Sequence, residues 1–236
     1  MFHKRYEIAA IIAMGLTSVN CYSGVPQAKA ASKNKTGQAG SVSGKSIGPT
    51  CGSEDEDNLC LALKYVVYKD GDGEGVVDSD QVIDNLKEIN NVWGQCKIGF
   101  QIDEFDATAP EDVGFSFDPA NDDELFGIRS QYNDESTLLL VTTGDWNRTG
   151  TLGNTFANAW TNLPADFPFG VVLEKSVGTF PLIIAHEIGH YLDLLHVDDG
   201  SNLLNPIIYP ESNVLGEDQC QTARATALSS WKKMLR

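Results

Sequence analysis

The stretch IIAHEIGHYLDLLH, residues 183–196, decides how the rest of the chain is read. His186 and His190 are four apart, so on a helix they lie on one face a turn apart, where two imidazoles can grip the same ion. Glu187 sits beside them, placed to reach a water on that ion rather than to bind the ion itself, which is where a general base has to be. His196 is six residues beyond His190. At about 100° and 1.5 Å per residue, a continuous helix would turn it away and carry it roughly 9 Å along the axis. The helix must therefore end between them for His196 to become a third ligand. Apart from His3, every histidine of the chain lies in this window. A chance H-E-x-x-H in a chain of this length has odds on the order of one in a hundred.

The stretch resembles the signature of the metzincin clan of zinc peptidases, H-E-x-x-H-x-x-G-x-x-H followed by a methionine-containing turn. The matching residues are HEIGHYLDLLH, so the resemblance implies His186, His190 and His196 as zinc ligands and Glu187 as general base. Asp193 stands where the clan has glycine. That glycine ends the helix in a left-handed conformation, which aspartate visits more readily than most residues. SNLLNP, residues 201–206, looks like the clan's turn, with Leu204 where methionine is usual. Leucine is apolar and similar in volume, so it can still floor the site.

The implied activity is that of a secreted zinc-dependent endopeptidase, one catalytic Zn²⁺ activating a water that Glu187 deprotonates. In the clan an extended protein or peptide substrate lies along the sheet's edge strand, here residues 156–161, through main-chain pairing that tolerates many sequences. The pocket for the side chain after the cleaved bond is walled in the clan by the segment after the turn, here Pro206, Ile207, Ile208, Tyr209 and Pro210. The tyrosine ligand of some members falls at Pro206, so Tyr209 is not carried over. Two other functions share the same three histidines: a non-catalytic binding module that keeps the zinc-binding fold, and a hydrolase of non-peptide amides. Glu187 argues against the first, since a retired site needs no base.

Outward from the motif, the pattern predicts strands at Leu59–Tyr68, 98–105, 137–143, 156–161 and 170–174. Residues 79–93 carry Val82, Ile83, Leu86, Ile89 and Trp93 at helical spacing, interrupted by Asn90, with Asp78 or Ser79 as cap. A last helix spans 217–235, and the acidic stretch 106–136 reads as a long loop with one short helix. The expected fold is α+β: a twisted, mostly parallel sheet of four or five strands, an active-site helix, a turn beneath it and a C-terminal helix. This order from Leu59 to Leu235 is similar to the clan's catalytic domain.

The chain has 236 residues, 42% of them hydrophobic and 21% charged, enough for one globular domain, read as 51–236. Residues 1–30 have the layout of a secretory signal peptide: His3, Lys4 and Arg5, an apolar run at 8–16 too short to span a bilayer, and Ala28-Lys29-Ala30 as a cleavage site. Cys21 as a lipidation site matches poorly. Residues 31–50, rich in Gly and Ser, read as a flexible linker. The net charge of −16 becomes −18 once Lys4, Arg5 and Lys29 leave with Glu7. Such a chain avoids nucleic acid and, after the leader is removed, anionic membranes.

Four cysteines remain, Cys51, Cys60, Cys96 and Cys220, an even number that reads as two disulfides in an exported chain. Of the three pairings, closeness in sequence favours Cys51 with Cys60, which leaves Cys96 with Cys220. Pro49-Thr50-Cys51-Gly52 is faintly similar to the clan's cysteine switch, without its arginine. The loop from Asp70 to Gln81 has oxygen donors at the spacing of a Ca²⁺ loop, but Gln81 replaces the closing glutamate and a strand precedes it, so an acidic turn is the alternative. Asn147-Arg148-Thr149 is a glycosylation sequon where the host glycosylates exports.

Overall fold

The computed structural model describes residues 8–10, 44–51, 57–155 and 157–236. Outside them lie His3, Lys4, Arg5, Cys21, the Ala28-Lys29-Ala30 site, most of the linker, Gly52 and Phe156. The strands are β1 (Ile8–Ala10), β2 (Lys45–Ile47), β3 (Leu59–Tyr68), β4 (Ile98–Thr108), β5 (Leu138–Thr142), β6 (Ala159–Thr161) and β7 (Val171–Leu173). The helices are α1 (Ser79–Trp93), α2 (Asp122–Tyr132), α3 (Pro181–Tyr191) and α4 (Glu217–Ser229).

The strands form one sheet in the order β1-β6-β7-β5-β3-β4-β2. The four central strands β7, β5, β3 and β4 run parallel, while β1, β6 and β2 are antiparallel to their neighbours. Among the described residues seven strands therefore replace the four or five expected. The additional pair, β1 and β2, is short and lies in segments read as leader and linker, where no apolar alternation announces a strand.

Strands buried on both faces should read as nearly continuous apolar runs, as β3, β5 and β7 do, whereas β4 alternates and is half-buried. Along β3, Leu61, Leu63, Tyr65 and Val67 enter the core beneath the sheet with α1 and α3, while Val66 and Tyr68 enter a second core with α2. β5 divides Leu138 and Leu140 from Leu139 and Val141 in the same way, and β6 divides Ala159 from Trp160. The period of two along β6 decides where the residue after Trp160 points.

Helix α1 starts at Asp78, whose side chain accepts from the Gln81 amide at 2.7 Å. Asn90, the break in its apolar pattern, clamps β4: its amide donates to the Phe100 carbonyl (2.9 Å) and its oxygen accepts from the Phe100 amide (2.7 Å). Within the stretch read as a loop, β4 runs on to Thr108 and α2 spans three turns. Leu125, Ile128, Arg129 and Tyr132 form its buried stripe, diluted in sequence by Asp122, Asp123 and Glu124. α4 ends at Ser229 rather than Leu235, and the chain finishes in a 3₁₀ turn, Lys232–Met234.

The disulfides are Cys51–Cys60 and Cys96–Cys220, with Cα atoms 5.5 Å and 4.8 Å apart. Cys51 is thus bonded to Cys60 and is not a free thiol for a metal. The pair tied by Cys96–Cys220 is 124 residues apart against 9 for the other. Loop entropy then assigns about 4–5 kcal/mol to the long bridge and about 2–3 to the short one. We expect the double alanine variant at Cys96 and Cys220 to lose the more stability in urea unfolding; the opposite order would show that native-state contacts, not chain entropy, set these values.

Nothing in the structure supports calcium at the Asp70–Gln81 loop, whose carboxylates do not converge as a metal-holding group. Asp70 Oδ1 accepts from the amides of Asp72 (3.0 Å) and Glu74 (3.2 Å), and Asp78 caps α1. These bonds tie the loop to its own backbone and to the start of α1, and among the described residues only the three histidines converge as a His, Cys, Asp or Glu group able to hold a metal. No helix among those residues is long and apolar enough to cross a membrane.

Candidate metal centre

Helix α3 opens at Pro181, whose missing N–H costs nothing in the first turn. Residues 183 to 191 are all buried beneath the sheet. The Trp93 indole donates to the Ala185 carbonyl (3.2 Å), and the Trp231 indole to the Tyr191 carbonyl (2.8 Å), one of the end carbonyls a helix leaves without an internal partner.

The helix ends where the sequence requires. Asp193 has φ 66°, in the left-handed region. The Leu194 amide returns to the Gly189 carbonyl (2.9 Å) and the Asp193 amide to His190 (3.0 Å), the paired bonds of a Schellman cap. Relief of the residual strain at Asp193 makes Asp193→Gly neutral to about 1 kcal/mol stabilising, with zinc affinity unchanged. Denaturant melts with and without zinc check it, and a loss of affinity would mean the aspartate side chain itself supports the site.

This reversal brings three ring nitrogens together. The Nε2 atoms of His186 and His190 are 3.0 Å apart, and each is 3.2 Å from Nε2 of His196. His186 Nδ1 donates to the Leu203 carbonyl and His190 Nδ1 to the Leu194 carbonyl, both at 2.7 Å. Those bonds place the proton on Nδ1 and leave the Nε2 lone pairs facing one another. Burial, opposed by the Leu203 carbonyl and reinforced by His196, pushes the His186 pKa down to about 3. Burial also takes His190 well below its ordinary value, and lowers that of the half-buried His196. Three neutral imidazoles cannot hydrogen-bond through facing lone pairs, but they can share a cation. Tetrahedral Zn–N bonds of about 2.0–2.1 Å place nitrogens about 3.3 Å apart, close to this spacing. The donor set fits zinc.

Beneath them, the turn at residues 201–206 is tied to α3 and α4. The Leu204 amide donates to the Asn202 side chain (2.8 Å), whose amide in turn donates to Gln219 of α4 (2.8 Å). Leu204 is fully buried, and its methyls lie 3.1 Å from where a Cβ on Gly189 would be. Gly189 is therefore bare because Leu204 fills its space. Of the residues after the turn, Ile207 and Ile208 are half-buried and Tyr209 is exposed.

Glu187 is fully buried. Thr161 Oγ1 donates to Glu187 Oε2, while Oε1 has no partner among the described residues. Burial pushes the carboxyl up to about 8, against the Thr161 hydrogen bond and the more distant Arg129. Sequence reading missed Thr161: a threonine on a strand carries no mark of which face it takes. We expect Thr161→Val to cut any hydrolytic activity about 10- to 100-fold through kcat, with zinc retained, and Thr161→Ser to restore most of it. An unchanged kcat in Thr161→Val would remove Thr161 from the site.

The strand β6 that carries Thr161 is not at the margin of the sheet; β1 pairs outside it, Ile8 opposite Thr161 and Ala10 opposite Ala159. No protein-family model and no curated protein sequence matches the chain. Among solved structures, metalloproteinase-II from Bacteroides fragilis is similar, with a TM-score of 0.49 and 15% identity over 78% of this chain. The match takes in 58% of that protein's chain, so this chain spans less than two thirds of it.

Proposed function

We propose that the chain is an exported, zinc-dependent endopeptidase of the metzincin kind. The observation that carries this reading is the three facing Nε2 atoms with a buried glutamate beside them, one of whose oxygens has no partner. Zinc, when bound by His186, His190 and His196, supplies a Lewis acid that polarises a carbonyl and lowers the pKa of a water.

The chain's own residues supply the rest. Glu187 takes the proton of the attacking water through Oε1 and later passes it to the leaving amine, while Thr161 holds Oε2. Leu203 and Leu194 hold two imidazoles in one tautomer, so no reorganisation is needed on binding. Removal of residues 1–30 would take β1 with it and leave the outer edge of β6 open to an extended peptide. The pairing of β6 with β1 supports the idea that this edge accepts an antiparallel strand. The two disulfides are consistent with an extracellular or periplasmic protein.

The test is to isolate the exported protein, establish one zinc per chain and offer it an unfolded protein. Fragments that cease with a chelator and return with zinc are expected. A fully zinc-loaded protein that cleaves no peptide bond across a broad library would favour a binding module or a hydrolase of other amides.

A further inference from the structure

Beside β6, on the sheet face opposite α3, lies a cavity of about 430 Å³. Trp160 of β6 and Asn162, the residue just after that strand, line it on either side in sequence of the Thr161 that holds Glu187. The cavity is thus one strand position away from the candidate general base, with its opening on the face to which alternate side chains of a paired peptide would point. The segment after β6 adds Asp166 and Phe167, and the first turns of α2 add Asp122, Asp123 and Phe126.

We infer that this cavity is a side-chain subsite of the endopeptidase and that it selects lysine or arginine in the substrate; the inference rests on the function proposed above. A substrate antiparallel to β6 runs against it, so groups that follow Thr161 in the chain meet substrate residues that precede the cleaved bond. Asn162, Asp166 and Phe167 follow it, which sets the selected residue on the N-terminal side of that bond. A long cationic side chain fits the lining in both its parts. Its methylenes lie along Trp160 and the exposed rings of Phe126 and Phe167, which also favour a cation over their faces, and its charge reaches three carboxylates.

The one cation in the lining, Arg129, is buried and committed to structure. Its Nε donates to the Gly170 carbonyl (2.8 Å) and its terminal nitrogen to the Trp160 carbonyl (2.9 Å), so it braces the floor and leaves the carboxylates in excess. The net charge of −16 on the whole chain favours the approach of cationic peptides to the protein in general.

The experiment compares kcat/KM for peptides identical except for Lys, Arg, norleucine or Glu at each of the three positions before the cleaved bond. The zinc-loaded protein should prefer Lys or Arg to Glu by at least about tenfold at one of them. In the Asp123→Asn, Asp166→Asn double variant that ratio should fall to about threefold or less, and in Asp166→Lys it should reverse. If the double variant does not fold, Asp123→Asn alone, at an exposed side chain, should still lower the ratio. No charge preference at any of the three positions, or one that survives these substitutions, overturns the subsite while leaving the endopeptidase reading intact. If no peptide is cleaved, that reading fails instead, and fluorescence anisotropy of the Lys and Glu peptides decides the subsite: equal affinities overturn it.

Discussion

Glu187→Ala is expected to leave one zinc per chain and to lower peptide hydrolysis at least about a hundredfold. The division of labour in the centre gives this result. The three Nε2 atoms face one another without help from the carboxylate, whose Oε2 is held by Thr161 and whose Oε1 is unpartnered. The metal therefore loses no ligand. What goes is the group placed to move protons, and a positioned general base contributes typically 10²- to 10⁴-fold. The side chain is fully buried and its folded-state pKa is pushed up by desolvation. Zinc analysis of the dialysed variant beside steady-state hydrolysis checks both halves. Near-normal activity would mean that Glu187 is not the base; lost zinc would mean that it supports the ligands after all.

His190→Ala has the opposite signature, with metal and activity lost together. Two of three ligands cannot make a closed tetrahedral site, and the substitution also strands the Leu194 carbonyl, which accepts the His190 Nδ1 proton at 2.7 Å. An unsatisfied buried acceptor costs about 1–3 kcal/mol, and the emptied volume lies in a close-packed helix. The metal-free variant should therefore melt below the metal-free parent, and its melting temperature should no longer respond to added zinc. His196→Ala separates the two effects. His196 is half-buried and lies beyond the helix cap, so its loss should abolish tight zinc binding with a smaller change in the metal-free melt. Stoichiometric zinc in His190→Ala would show that the metal is held elsewhere.

The helical spacing of α1 was legible because its stripe of Val82, Leu86, Ile89 and Trp93 is unbroken except at Asn90, and Asn90 proved to be a clamp on β4 rather than an exposed exception. Helix α2 was not legible. Its three leading acids and its buried Arg129 lower the apolar signal, and what fixes the helix is the second core above the sheet, a contact between distant residues. The same holds for β1 and β2, three residues each, whose pairing partners are remote in sequence. The calcium spacing gains no support for a related reason: spacing counts oxygens but does not say where they point, and Asp70 and Asp78 accept from nearby backbone amides.

What the sequence by itself determined is therefore local. The four-residue spacing of His186 and His190 and the left-handed residue needed before His196 follow from distances along a helix of known rise, and closeness along the chain favoured Cys51 with Cys60 among the three pairings that sequence leaves open. The tertiary structure alone decided that Thr161 meets Glu187, that the Leu203 carbonyl orients His186, that Leu204 fills the space above Gly189 and that a cavity with three carboxylates opens beside Trp160. Each of these depends on strand register or on a turn returning to a helix, and a slip of one residue in β6 would move Thr161 to the other face of the sheet.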